Sequence, residues 1–221
     1  MGRPVEKSSL GYRSSYRRHL PHYQPEEAIL FVTFRLANSL PREKIYSLTE
    51  EREYWKKVLE DPSISPSRRQ EALEVLQRMF EKWDDALDAA KYGPQWLRNP
   101  EIANLVADSI HYRDGRLYDI YTFCVMPNHV HLVFRPLKRN DGKPYSLPFI
   151  LKGLKGYTGR KANDILERKG AFWQRESYDR VVRDEEALLR TIEYVLNNPV
   201  KAGLVRRWED WPWSYLRAAI L

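Results

Sequence analysis

Apolar and polar positions alternate in two stretches of the chain. In "AILFVTFRLANSLP", Leu30, Val32, Phe34 and Leu36 fall against Phe31, Thr33 and Arg35; in "HVHLVF", Val130, Leu132 and Phe134 fall against His129, His131 and Val133. A period of two is that of a strand with one face on a core. "RLYDIYTFCVM" predicts a partner strand, joined to "HVHLVFRP" through a tight turn at Pro127 and Asn128, and "AFWQRESYDRVVR" predicts another strand. Elsewhere the period is helical. "PEIANLVADSIHYRDG" predicts an amphipathic helix ended at Gly115, and "SLPFILKGLKGYTGRKANDILERKG" a long basic helix ended at Gly170. Residues 42–96 are rich in charged helix formers, with Leu73, Leu76, Phe80, Trp83 and Leu87 at helical spacing, and "EDPSISPS" divides them into at least two helices.

With residues 42–96 set aside as a helical insertion, the order is strand, helix, strand, strand, helix, strand. That order is the α+β, ferredoxin-like split βαβ, also called RRM-like: an antiparallel sheet with helices on one side. A C-terminal helix follows. The expected organisation is a single domain over 1–221, with a basic N-terminal arm at 1–25, the helical insertion at about 42–96 and a Trp-rich tail at about 200–221 that packs back on the body.

The C-terminal helix is expected over 184–198. Asp184, Glu185 and Glu186 suit the positive end of its dipole, and Pro199 stops it. Leu188, Leu189, Ile192, Val195 and Leu196 share one face. Tyr194 points away from that face, and Asn198 lies one turn further on beside it, so a phenol and an amide are expected to project together from the polar side.

Charge sharpens the reading. The net charge is +7, which favours a polyanionic partner. Residues 1–25 hold five basic side chains against Glu6, and residues 135–161 hold eight against Asp141. Within these, Arg13, Arg17 and Arg18 in the arm and Lys152, Lys155, Arg160 and Lys161 on the basic helix are the expected DNA contacts, gripping phosphates beside Tyr12, Tyr16 and Tyr157. The single cysteine, Cys124, forms no internal disulfide and fits a reducing cytoplasm. The N-terminus carries no secretory apolar region, and no apolar run approaches the roughly 20 residues of a membrane helix.

The chemistry lies in the histidines. Side chains two apart on a strand share a face, so His129 and His131 can bind one divalent ion. Two imidazoles and an amide oxygen suit Mg²⁺ or Mn²⁺. A nearby tyrosine, once ionised, can attack a phosphodiester and keep the bond energy as a phosphotyrosine, which strand transfer needs and hydrolysis does not. Other readings share parts of this pattern. An H-x-H hydrolase or two-His-one-carboxylate iron site needs a suitably placed acid, and none stands out. A non-catalytic nucleic-acid binder of the same fold would stack bases on sheet aromatics such as Phe31, Tyr121 and Phe123.

"MPNHVHLVF", "FWQRESYDRVVRDEEALLRTIEYVLNNPVKAGLV", "WEDWPWS" and "LPHYQPEEAILFVTFRL" together resemble the REP-associated tyrosine transposases, single-tyrosine members of the HUH endonuclease superfamily related to the IS200-like transposases. The similarity covers nearly the whole chain apart from the segment near 42–96. The resemblance implies a metal held by His129, His131 and Asn198, with Tyr194 as the nucleophile. It also implies a metal-dependent endonuclease and strand transferase on single-stranded DNA at palindromic, REP-like hairpins, with a 5′-phosphotyrosine intermediate and a free 3′-OH. A monomer or homodimer in the cytoplasm, associated with the nucleoid, is the corresponding expectation.

Overall fold

The computed structural model describes residues 27–89 and 93–218. The elements run β1 (Ile29–Arg35), α1 (Arg42–Glu60), α2 (Pro66–Asp88), α3 (Pro100–His111), β2 (Tyr118–Val125), β3 (His129–Pro136), α4 (Leu147–Ile165), β4 (Tyr178–Val182), α5 (Glu185–Lys201) and β5 (Ser214–Leu216), with short 3₁₀ turns at Trp96–Arg98 and Trp208–Asp210. The strand order is β4-β1-β3-β2-β5, and each neighbouring pair is antiparallel. This is the ferredoxin-like sheet expected from the element order, extended by a fifth strand from the C-terminal tail.

The alternation decides which side chains enter which layer. Leu30, Val32, Phe34, Val130, Leu132 and Phe134 meet Ile102, Val106 and Ile110 of α3 and Ile150, Leu151 and Leu154 of α4 in one buried cluster. The intervening residues face the other way. There Phe31, Cys124 and Val133 meet Phe80 of α2 and Leu188, Ile192, Val195 and Leu196 of α5. The two helices of the split βαβ repeat thus share one face, while α5 and the inserted α2 cover the other. Phe34 is fully buried, with its ring 4.9 Å edge-on to Trp173. Phe34→Ala is expected to cost about 3–5 kcal/mol of unfolding free energy, read by denaturant titration.

A bulge between Ile120 and Thr122 breaks the period of β2. Tyr118 and Ile120 face the α3–α4 layer before it, and Phe123 and Val125 face the same layer after it. Phe31 and Phe123 therefore lie buried on opposite faces. The exposed aromatic sheet face that a base-stacking binder requires is not formed by these residues.

Four sequence expectations shift at their ends, the first being α3, which ends at His111, before Gly115. The last strand of the repeat is only Tyr178–Val182, because the preceding residues turn inward: Phe172 and Trp173 close the core, and Trp173 Nε1 donates to Thr158 Oγ1 at 2.9 Å. The helix α4 ends at Ile165, before Gly170. Pro199 does not stop α5, which runs to Lys201 with the proline inside it. The missing N–H costs little there, since only two residues follow and Gly203 and Leu204 donate back to Val200 and Pro199 to finish the turn. The tail packs as expected. Trp211 Nε1 donates to Val125 O and Trp213 Nε1 to Asn104 Oδ1, and Ser214–Leu216 pairs with β2. Among the described residues, no helix is long and apolar enough to cross a membrane.

Candidate functional site

The turn after β2 is tied by Met126 N donating to His129 O, and β3 opens with His129. Because Val130 and Leu132 enter the α3–α4 layer, His129 and His131 point to the opposite face. They are completely buried there, not half-exposed on a polar surface, because α2 and α5 roof them.

The imidazoles face one another, Nε2 to Nε2, at 2.8 Å. Their tautomers follow from their other nitrogens. Asn128 Nδ2 donates to Leu87 O, which turns its Oδ1 toward His129 Nδ1 at 2.6 Å. His129 Nδ1 must therefore carry the proton, leaving a lone pair on Nε2. His131 Nδ1 lies 2.8 Å from Thr33 Oγ1, a hydroxyl able to donate or accept, so His131 can present either a proton or a lone pair at Nε2. Burial pushes the His129 pKa down to about 3 and holds that of His131 well below the usual imidazole value, with His129 and Lys201 adding to the effect. Both rings are neutral near pH 7, which is the protonation state of a metal-binding imidazole.

The α5 helix supplies the next two groups. Asp184 caps it, its Oδ1 accepting from Ala187 N at 2.7 Å. Asn198 is 1% exposed. Oriented to satisfy its neighbours, its amide donates to the Asp88 carboxylate at 2.6 Å and accepts from His131 Nε2 at 3.2 Å. The Tyr194 ring lies 6.0 Å from that of His131 and against Phe31 and Phe80, at 6.2 and 5.9 Å. Its hydroxyl is buried without a hydrogen-bond partner among the described residues. Tyr194 and Asn198 do share a side of the helix, as expected. That side is not the solvent side: α2 lies over it.

The insertion contributes groups that the sequence reading missed. Asp84 is fully buried, with Oδ2 3.5 Å from His131 Nε2, and Asp88 Oδ1 lies 3.5 Å from His129 Nε2. Burial, and then the neighbouring Asp88, raise the Asp84 pKa well above the usual carboxylate value; burial lifts that of Asp88 to about 7 against the pull of Lys201. Ligand atoms of Asp84, His129 and His131 all lie within 4.8 Å of one another, a group that could hold a metal ion. Both Asp84 oxygens are buried without a donor among the described residues, so the residues fit a cation chemically. A suitably placed acid therefore does exist. The available signal was weak: an aspartate inside the buried stripe Met79, Phe80, Asp84 and Leu87. Arg35 was also missed. It pairs in register with His129, is 2% exposed, and reaches Ser39 Oγ with its Nε unpartnered; burial pushes its pKa down to about 10. A cavity of ≈ 210 Å³ lined by Asp88, Gln95, Arg98 and Asn128 adjoins His129.

The expected DNA contacts lie apart from this site. Lys152, Arg160 and Lys161 are exposed on α4, across the sheet from the histidines. Lys155 is turned inward: its Nζ donates to Arg175 O at 2.9 Å, and burial brings its pKa down to about 8. Tyr157 is 43% exposed on the same helix and is separated from the imidazoles by the sheet. Arg13, Arg17 and Arg18 lie outside the described residues.

No protein-family model matches the chain. A stretch is 24% identical over 102 residues to a Haemophilus influenzae protein provisionally named a REP-associated tyrosine transposase, covering 44% of this chain and 58% of that one. Another is 25% identical over 105 residues to an Escherichia coli REP-associated tyrosine transposase, covering 48% of this chain and 58% of that one. The chain thus spans a little over half the length of these curated relatives. A solved structure of a REP-associated tyrosine transposase bound to a REP hairpin aligns with 91% of this chain and 82% of its own, at 18% identity and a TM-score of 0.49. Over these stretches the chain is similar in sequence to proteins named as REP-associated tyrosine transposases.

Proposed function

We propose that this chain is a metal-dependent single-stranded DNA endonuclease and strand transferase that acts at palindromic, REP-like hairpins through a covalent tyrosine intermediate. One observation carries the reading: the partly buried Tyr194, its hydroxyl unpaired among the described residues, stands 6.0 Å ring to ring from His131, beside the buried His129 and Asn198. A structural tyrosine at such a depth normally finds a partner for its hydroxyl. A nucleophile must keep its oxygen free for the reacting atom.

His129, His131 and the amide oxygen of Asn198 would hold the ion, Mg²⁺ or Mn²⁺. When bound, it would polarise a phosphate oxygen and offset charge in the transition state. The chain's own residues do the rest. Asn128 fixes the His129 lone pair toward the centre, and Thr33 steadies His131. Tyr194 gives its proton to water and its Oη forms a bond to phosphorus while the P–O3′ bond breaks. The leaving oxygen takes a proton and becomes a free 3′-OH, and the DNA 5′-phosphate stays on the tyrosine. The reverse attack by a 3′-OH rejoins strands without another energy source. Phe31 and Phe80 flank the phenol and keep bulk water from the phosphotyrosine.

DNA binding draws on the exposed Lys152, Arg160 and Lys161, and on Arg13, Arg17 and Arg18 of the arm, through salt-dependent phosphate contacts. The whole chain acts as one cytoplasmic, nucleoid-associated domain, as a monomer or homodimer. The test is incubation with labelled single-stranded hairpin oligonucleotides from the flanks of its own gene, with Mg²⁺ or Mn²⁺. A covalent protein–DNA band that survives denaturation is expected. Its absence with both metals on every flanking hairpin would refute the proposal.

A further inference from the structure

We propose that Asp84 is a ligand of the same ion, so that the ion fastens the α1–α2 hairpin to the sheet and seats the roof over Tyr194. This rests on the reading that the histidine centre holds a divalent cation, and adds to it a ligand from the inserted segment.

Asp84 is the first ground. Its side chain has no solvent exposure, and among the described residues neither oxygen accepts a hydrogen bond. A carboxylate placed in this way is costly unless a cation compensates it. His131 Nε2 lies 3.5 Å from Asp84 Oδ2. The remaining donors are two imidazole nitrogens and an amide oxygen, a set to which a carboxylate adds the charge that a hard divalent ion prefers.

The second ground is where Asp84 is carried. The α2 helix reaches the histidine pair at three points: Asp84 beside His131, Asp88 beside His129, and Leu87 O holding the Asn128 amide that sets the His129 tautomer. The same helix places Phe80 5.2 Å from Phe31 and 5.9 Å from Tyr194. An ion shared by a ligand on α2 and ligands on β3 would add a further link between them, beside the hydrogen bond from Asn128 to Leu87 O. Occupancy of the site and docking of α2 must then stabilise each other to the same extent, because linkage is reciprocal. On this account the insertion is part of the centre, not an appendage to it.

The full chain, its Asp84→Asn variant and its Asp85→Asn variant are titrated with Mn²⁺ by calorimetry. Hydrogen exchange across residues 66–88 is followed with and without Mn²⁺. Asp85 is the control, exposed on the next position of the helix and paired with Lys201. Wild type is expected to gain protection in α2 on adding Mn²⁺. Asp84→Asn should lose at least about tenfold in Mn²⁺ affinity and lose the metal-dependent protection, whereas Asp85→Asn should do neither. The metal-free Asp84→Asn protein should melt no lower than metal-free wild type, because the replaced carboxyl group has no hydrogen-bond partner among the described residues. Equal Mn²⁺ affinity in Asp84→Asn and wild type overturns the proposal, as does an α2 exchange rate indifferent to Mn²⁺ in wild type, a measurement that needs no variant. If wild type binds no Mn²⁺ at all, the cation reading of the centre falls as well; if Asp84→Asn keeps both metal and adduct formation, only the role of Asp84 falls.

Discussion

Tyr194→Phe is expected to lower the covalent DNA adduct by roughly 10³-fold or more, to below detection on a denaturing gel, with hairpin binding unchanged. The substitution removes one oxygen and keeps the ring that packs against Phe31, Phe80 and His131. Among the described residues the deleted hydroxyl makes no hydrogen bond, so the melting temperature should stay level or rise slightly. A structural tyrosine would behave in the opposite way, losing stability and sparing activity. Binding, read by gel shift with the same hairpin, separates loss of the nucleophile from loss of the site. An adduct of wild-type yield in Tyr194→Phe would exclude this residue as the nucleophile and return attention to the exposed Tyr157.

The second large effect concerns the histidines. His131→Ala is expected to abolish metal-dependent cleavage and to weaken Mn²⁺ binding by roughly 10²-fold or more, since loss even of an outer partner of a metal ligand costs about 10–100-fold. Chelation should give the same phenotype in wild type, and added Mn²⁺ should restore wild type but not the variant. Some stability goes as well. The ring is fully buried between Thr33, His129 and Asn198, and its removal leaves a void and an unpaired Thr33 hydroxyl. His131→Asn keeps a polar group near that hydroxyl and fills more of the space, so it should fold better while remaining inactive. Undiminished cleavage in both variants would exclude a histidine metal centre.

Much of this arrangement is readable from the chain because strands write their orientation in the period-two code. Leu30, Val32 and Phe34 identify one face of β1, and Val130, Leu132 and Phe134 do the same for β3, so the opposite projection of His129 and His131 follows at once. The fold order follows from the same code. Three things escaped it. The bulge at Ile120/Thr122 reverses parity within β2, and no residue there announces it. Helical periodicity identifies the apolar face of α5 but not what covers the rest, so Tyr194 and Asn198 read as a solvent-facing pair until α2 is laid over them. Asp84 and Asp88 look like ordinary charges on a charged helix, and only long-range packing separates them from Asp85, which does face solvent.

Tyr194 and Asn198 ride on one rod a single turn apart, so the phenol and the amide cannot be tuned independently. Rolling or sliding the rod displaces both by like amounts. Any adjustment between attack on the phosphorus and the reverse attack must therefore come from the strand on the other side of the pocket, or from how firmly the rod is seated, rather than from a tyrosine swinging free of its neighbour.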